Sequence, residues 1–344
     1  GYDPPYIPDN YCIKDLLGHF MIIKELWWLD MFITMSIISI FVLLITGTYL
    51  LIADLSKEEN RGTLNFIRLS PQTAKTIFLG KLLGVPSLIY FFCLLAIPFH
   101  LFTGLSAHIP LSLIIGFYVV LIASCIFFYN VALLYGLIST KFGGFQAFLA
   151  SGIILFFLSC MTGMFLDSHF VHKNPFDCLS MFYPGVILPY LVHSTNIASD
   201  TIGYLHLDRF EDLQWYGQSL WNNAFTGIAF VLVNLVVWTY FITQALKRRF
   251  HNPLSTILSK KQSYWISGSF VIIGLGFVLQ ESGYDLKQNF EMFQLFNLIF
   301  FLLLIASLTP SRQTLLDWSS YRHRVNKSKR NLLQDLLIGE KSPS

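Results

Sequence analysis

The feature that most constrains this chain is a series of long runs without a charged side chain. Seven apolar stretches recur along it: 31–53, 82–103, 111–138, 146–165, 225–246, 264–280 and 292–309. An α-helix rises 1.5 Å per residue, so roughly 20 such residues cross a hydrocarbon layer about 30 Å thick. Composition points the same way, with 54% hydrophobic and 12% charged residues, where a soluble domain carries about 25% charge. The chain is therefore expected to be an all-α, polytopic helical membrane protein with seven transmembrane helices. The run 264–280 is the weakest, being short and interrupted by Gly268, Gly274 and Gly276, although Tyr264 and Trp265 suit a membrane interface.

Lys and Arg are retained on the cytoplasmic side, and this sets orientation. The segment 54–81 holds Lys57, Arg61, Arg68, Lys75 and Lys81; the loop after 246 holds Lys247, Arg248, Arg249, Lys260 and Lys261; a basic tail, 310–344, follows the last run. These three lie on one side by parity. The long loop 166–224 carries six acidic residues, Asp167, Asp177, Asp200, Asp208, Glu211 and Asp212, against Lys173 and Arg209, and belongs outside. A multi-pass protein of the plasma (inner) membrane follows, with a cytoplasmic C-terminus and Gly1 external. Residues 1–30 contain neither an initiator Met nor an apolar signal core, so a truncated N-terminus lacking at least one upstream span is expected. Within 1–30, an external loop leads to an amphipathic approach helix around 13–28, the alternative being a flexible exposed end.

The net charge is only +3, and no basic stripe is interleaved with exposed aromatics, so nucleic acid is not an expected partner. Membrane lipid is. The five Cys show no CxxC pair and no zinc-like spacing with His. Cys93, Cys125 and Cys160 fall in spans as packing residues, while Cys12 and Cys178 fall outside, where a disulfide is permitted but not specified by the sequence. His100, His108, His169, His172, His193 and His206 gather towards the outer side, but without partners at metal-ligand spacing they read as interface residues. Asn130, Asn234 and Asn297 lie within spans and are expected to find partners on neighbouring helices. The apolar but broken run 181–191 is too short to span. It fits either a re-entrant pair of half-helices or an amphipathic segment on the outer surface.

The most informative stretch is 57–75, between the first two runs. Glu58 and Arg61 are three apart and can face each other on a helical turn, Leu64, Phe66, Ile67 and Leu69 form an apolar flank, and Gly62 marks a turn. Ser70 as N-cap with Pro71 in the first helical position predicts a new helix starting there.

The run Glu58-Glu59-Asn60-Arg61-Gly62-Thr63-Leu64, with Leu69-Ser70-Pro71 and Leu79-Gly80-Lys81, resembles the coupling-helix region of type-2 ABC exporter permeases. The segments 246–253 and 307–318 resemble a cyanobacterial-type subgroup of that family. The resemblance implies a membrane permease subunit coupled through Glu58, Glu59, Arg61, Gly62, Thr63, Leu64, Phe66, Ile67 and Leu69 to a separate ATPase subunit, which would carry ATP and Mg. It also implies a second permease chain, identical or paralogous, and external half-helices within 166–224. The family's coupling helix follows its second span and here follows the first, in keeping with a lost upstream span; two extra C-terminal spans depart from its six-span plan.

No GxxxxGK[ST] phosphate loop occurs, so this polypeptide is not expected to bind or hydrolyse ATP itself. The other classes weighed are an intramembrane enzyme, for which neither HExxH nor GxSxG nor paired intramembrane acids are present, and an ion-coupled secondary transporter, which normally carries ionisable residues within its spans.

Overall fold

The computed structural model describes residues 12–14, 20–139, 144–166, 175–197, 202, 204–205, 213–253, 255–279, 286–310 and 312–325. Six of its helices are long and apolar enough to cross a membrane. The first is continuous over Lys24–Asn60, built from α1 (Lys24–Phe41), a π-helical turn (Val42–Thr46) and α2 (Gly47–Asn60). The others are α5 (Ser87–Ser106), α6 (Leu111–Ile138), α7 (Phe145–Leu166), α10 (Ala224–His251) and α12 (Leu286–Leu308). Between them lie α3 (Thr63–Arg68), α4 (Ala74–Gly84), two short helices described below as α8 and α9, and α11 (Lys260–Val278); α13 (Arg312–Val325) follows.

The approach helix expected around 13–28 is replaced by an antiparallel pair, β1 (Cys12–Lys14) and β2 (Phe20–Ile22), with Ile13 opposite Met21. Helix starts only at Lys24, because Phe20, Ile22 and Ile23 are aromatic or β-branched residues that favour extended pairing.

The core is organised around α6, which is apolar on all sides; one face of it, from Ile114 to Leu137, is buried between α2 and α10, while Ile115, Val119, Ile122 and Ile126 stay exposed. An all-round apolar helix suits the centre of a bundle. The outer faces of α5 (Leu88, Phe91, Leu95) and α12 (Leu302, Leu303, Ile305) are exposed and suit lipid. Within spans, Asn130 and Asn234 bond locally instead of across helices: Asn130 donates to the Ile126 carbonyl (2.7 Å), and Asn234 accepts from Trp238 (3.0 Å) while its own amide nitrogen is buried without an acceptor. Each uses a partner one turn away, which costs no lateral alignment.

The chain breaks between α4 and α5 at Pro86. Proline lacks an N–H for the carbonyl four residues earlier, and that carbonyl, Leu82, takes the Tyr90 hydroxyl at 2.8 Å instead.

The expected span 264–280 corresponds to α11, which covers it as far as Val278, but Lys260, Lys261, Gln262 and Ser263 in its first turn leave it outside the six strongly apolar helices. Its ends nonetheless lie at opposite ends of the bundle. Ile257, just before it, donates to Ser307 at the end of α12 (3.0 Å), and its last turns meet the hairpin β3 (Gln214–Trp215) and β4 (Gln218–Ser219), which precedes α10. There Tyr216 N–H donates to Gly276 (2.8 Å) and Trp215 Nε1 to Ile273 (3.3 Å). A Cβ at 276 would fall 2.0 Å from Trp215 Nε1, so this glycine is what admits the indole.

The loop between α7 and α10 folds inward. It holds α8 (Asp177–Ser180), a 3-10 turn (Pro184–Ile187) and α9 (Leu188–His193). Tyr183, Val186, Ile187, Leu188, Leu191 and Val192 are all buried, which excludes the outer-surface alternative. Phe182 packs on Phe127 of α6 (5.1 Å) and Trp238 of α10 (6.3 Å). Those residues lie about 24 Å and about 21 Å along their helices from the ends that adjoin this loop. The short helices therefore descend to about mid-depth and return, as half-helices covered by protein can do.

Candidate functional site

The segment 54–81 forms a compact element at the basic end of the bundle, the end bearing Lys57, Arg61, Arg68, Lys75 and Lys247–Arg249. α2 ends at Asn60, and Gly62 takes the left-handed conformation (φ 72°, ψ 0°) that L-residues avoid. Its N–H donates to Glu59 (2.9 Å), and the Thr63 hydroxyl donates to the Glu58 carbonyl (3.0 Å), so the helix end is closed before α3 begins.

α3 is anchored from beneath by Leu64, only 2% exposed, while Ile67 packs against the same core. Phe66 and Leu69, on its other side, are 82% and 85% exposed. Two large apolar side chains stand free there beside Arg61, exposed and without an ion pair among the described residues. Arg68 bonds Asn65 (2.9 Å); burial lowers its pKa, and the Glu59 carboxylate opposes that effect.

Glu58 does not turn to Arg61, as the spacing suggests. Its Oε1 lies 2.7 Å from Lys81 Nζ, and Asp54 Oδ2 lies 2.6 Å from the same nitrogen. Asp54 and Glu58 are one turn apart on α2 and face α4, where Lys81 is only 10% exposed; an ammonium shared by two carboxylates is a stronger anchor than an arginine free in water. The triad borders a groove of about 620 Å³ lined also by Ile67, Gln72 and Thr76. The i, i+4 spacing of Asp54 and Glu58 was the available signal for it.

The helix after α3 begins three residues later than Ser70-Pro71 suggests. Thr73 is the N-cap, its hydroxyl accepting from Thr76 N–H (3.3 Å), because residues 69–73 are used to reverse direction between α3 and α4.

Elsewhere, His100 lies in a span and is 5% exposed, more deeply set than an interface histidine. The Ser36 hydroxyl donates to Phe32 (2.8 Å), so His100 Nε2–H donates to Ser36 Oγ (2.8 Å) and Nδ1 accepts from the Tyr118 hydroxyl (2.7 Å). The ring thus braces α1, α5 and α6. His108 faces Glu25 at 3.3 Å. His169, His172 and His206 lie outside the described residues, as do Asp200, Asp208, Glu211 and Asp212. Among the described residues no group of three or more His, Cys, Asp or Glu could hold a metal, and Cys93, Cys125, Cys160 and Cys178 are free thiols.

Fold and site together define a polytopic helical membrane protein with an exposed apolar helix at its basic end. No known protein family, curated protein or solved structure matches the chain.

Proposed function

We propose that the chain is the permease subunit of an ATP-driven ABC transporter, an exporter by its resemblance, working with a second permease chain and a separate ATPase that docks on α3. The observation that carries this reading is the exposure of Phe66 and Leu69 on a helix fixed at its base by Leu64 and the Asp54–Lys81–Glu58 triad. Large apolar side chains exposed together on a rigid support mark a protein interaction surface. The mid-depth half-helices between α7 and α10 agree with the same family plan. In this mechanism, ATPase closure pushes α3; the triad passes the displacement from α2 to α4, and α4 passes it across the Pro86 break into α5.

The test is purification of the full chain from its native membrane. A polypeptide carrying a GxxxxGK[ST] phosphate loop is expected to accompany it with ATP-hydrolysing activity. The variant Phe66→Asp with Leu69→Asp is expected to lose that partner about tenfold or more, while thermal unfolding moves by less than about 0.5 kcal/mol because both positions lie in solvent. Equal recovery of the ATPase would remove α3 as the docking element.

Orientation is tested separately. In intact cells, a membrane-impermeant thiol reagent is expected to label Gln218→Cys, on the β3–β4 hairpin, and to reach Lys57→Cys only after permeabilisation. Labelling of Lys57→Cys from outside would reverse the topology and place α3 away from any cytoplasmic ATPase.

A further inference from the structure

Where α3 meets the end of α10, the guanidinium groups of Arg68 and Arg249 converge without a matching set of acids, with Arg248 next to Arg249 in the chain. Arg68 reaches from α3 so that its Cζ lies 5.8 Å from the ring centroid of Phe250, the neighbour of Arg249. Arg68 and Arg249 are close enough for their like charges to disfavour one another. Arg249 donates to the Ser255 carbonyl (2.7 Å), and Arg248 donates to the Thr256 carbonyl (3.0 Å) and hydroxyl (3.1 Å). None of the three forms an ion pair among the described residues. Glu59, from α2, is the acid that acts on Arg68, and Lys247 and His251 add no negative charge.

All three arginines are half-buried. Each guanidinium offers five N–H donors, and the described bonds use one on Arg68, two on Arg248 and one on Arg249. The Nε atoms of Arg68 and Arg249 are buried with no acceptor. Unmatched, partly desolvated cations with unused donors are costly unless an anion completes them. Two guanidinium forks arriving from different elements can be completed together by one tetrahedral oxyanion, which offers more accepting oxygens than the two of a carboxylate. Phe250 and Phe78, packed at 5.0 Å, give the cluster an apolar floor. The cluster also sits at the end of a membrane-spanning helix, the level at which basic pockets meet lipid headgroups.

We propose that Arg68 and Arg249 form a binding site for a phosphate group, which bridges α3 to the end of α10. The phosphate has two possible sources, an anionic phospholipid headgroup or free inorganic phosphate, and the site stands whether or not α3 docks an ATPase.

The experiment uses the purified full chain in detergent mixed with phosphatidylcholine. Phosphatidylglycerol is titrated in and its retention read by native mass spectrometry; in parallel, thermal unfolding is followed with millimolar inorganic phosphate and no anionic lipid. For a lipid site, the wild type retains phosphatidylglycerol over phosphatidylcholine, and Arg68→Gln with Arg249→Gln lowers that preference about tenfold or more. The exposed Lys75→Gln, which removes one charge at the same end, leaves it unchanged. For a free-phosphate site, phosphate raises the unfolding temperature of the wild type but not of the double variant, and no lipid preference is seen. Unfolding in phosphatidylcholine alone checks that the variant is folded. If it is not, Arg249→Gln, which leaves Arg68 on Asn65, replaces it, and an unchanged response in that single variant overturns the site. A loss in Lys75→Gln equal to that in the arginine variant, or no response to either phosphate source, also overturns it.

Discussion

Replacing Lys81 by Met is expected to loosen α4 from α2 and to cost about 2–4 kcal/mol of stability. Lys81 is 10% exposed and is the cation shared by Asp54 (2.6 Å) and Glu58 (2.7 Å). Removing it leaves two carboxylates facing each other one helical turn apart with nothing between them. The upper end of the range for a buried pair does not apply, because Asp54 is 33% exposed and water recovers part of the loss. Denaturant unfolding in micelles measures the change. The variant that also carries Asp54→Asn and Glu58→Gln separates charge from packing: it removes the stranded carboxylates and is expected to regain most of the loss. A change within about 0.5 kcal/mol for Lys81→Met alone would mean that the triad is only a surface ion pair. The functional consequence reaches further than stability. Under the permease reading proposed above, α3 lies between α2 and α4, so loosening the triad should leave an ATPase able to bind yet unable to move α5, and transport-linked ATP hydrolysis should fall while co-purification persists. That split distinguishes Lys81 from Phe66 and Leu69, whose loss acts on binding itself.

The helical, membrane-spanning character was legible because it depends on the length of uncharged runs, a one-dimensional property. The turn at Gly62 was legible too, since a glycine between Asn60-Arg61 and an apolar run is a local signal. What could not be read is lateral. α6 is apolar on every side, so no periodicity marks which neighbours cover it. The partners of Glu58 illustrate the same limit: sequence spacing offers Arg61 one turn away, while Lys81 comes near only when α4 folds back across residues 69–73.

Depth was equally hidden. The run around Pro184 and Pro189 showed that the segment could not span, but only the packing of Phe182 on Phe127 and Trp238 shows how far it enters. His100 looked like one of several interface histidines until Ser36 and Tyr118 were found on its two nitrogens. The arginine pair joins two segments about 180 residues apart, Arg68 and Arg249, each of which alone reads as an orientation signal.

Gly47→Ala is expected to destabilise the protein by about 1–3 kcal/mol, and Gly47→Leu by more, although alanine normally favours a helix over glycine. Gly47 opens α2 directly after the π-helical turn Val42–Thr46. A Cβ there would fall 2.3 Å from the Tyr129 hydroxyl oxygen and 2.5 Å from Cε1 and Cζ of the same ring. Tyr129 cannot swing aside cheaply: it is 1% exposed, and its hydroxyl donates to the Leu43 carbonyl at 2.8 Å within the π-helical turn. The new methyl must therefore displace α2 from α6 or force the tyrosine to abandon Leu43. A double-mutant cycle with Tyr129→Ala identifies the cause. Removing the ring costs stability of its own through the cavity it leaves, but in that background Gly47→Ala should become neutral to within about 0.5 kcal/mol. If the two losses simply add, the clash is relieved elsewhere and the glycine has some other role. Non-additivity would instead show that Gly47 is kept to let Tyr129 lock the π-helical turn against α6, fixing the register of the long helix whose last turns carry Asp54 and Glu58.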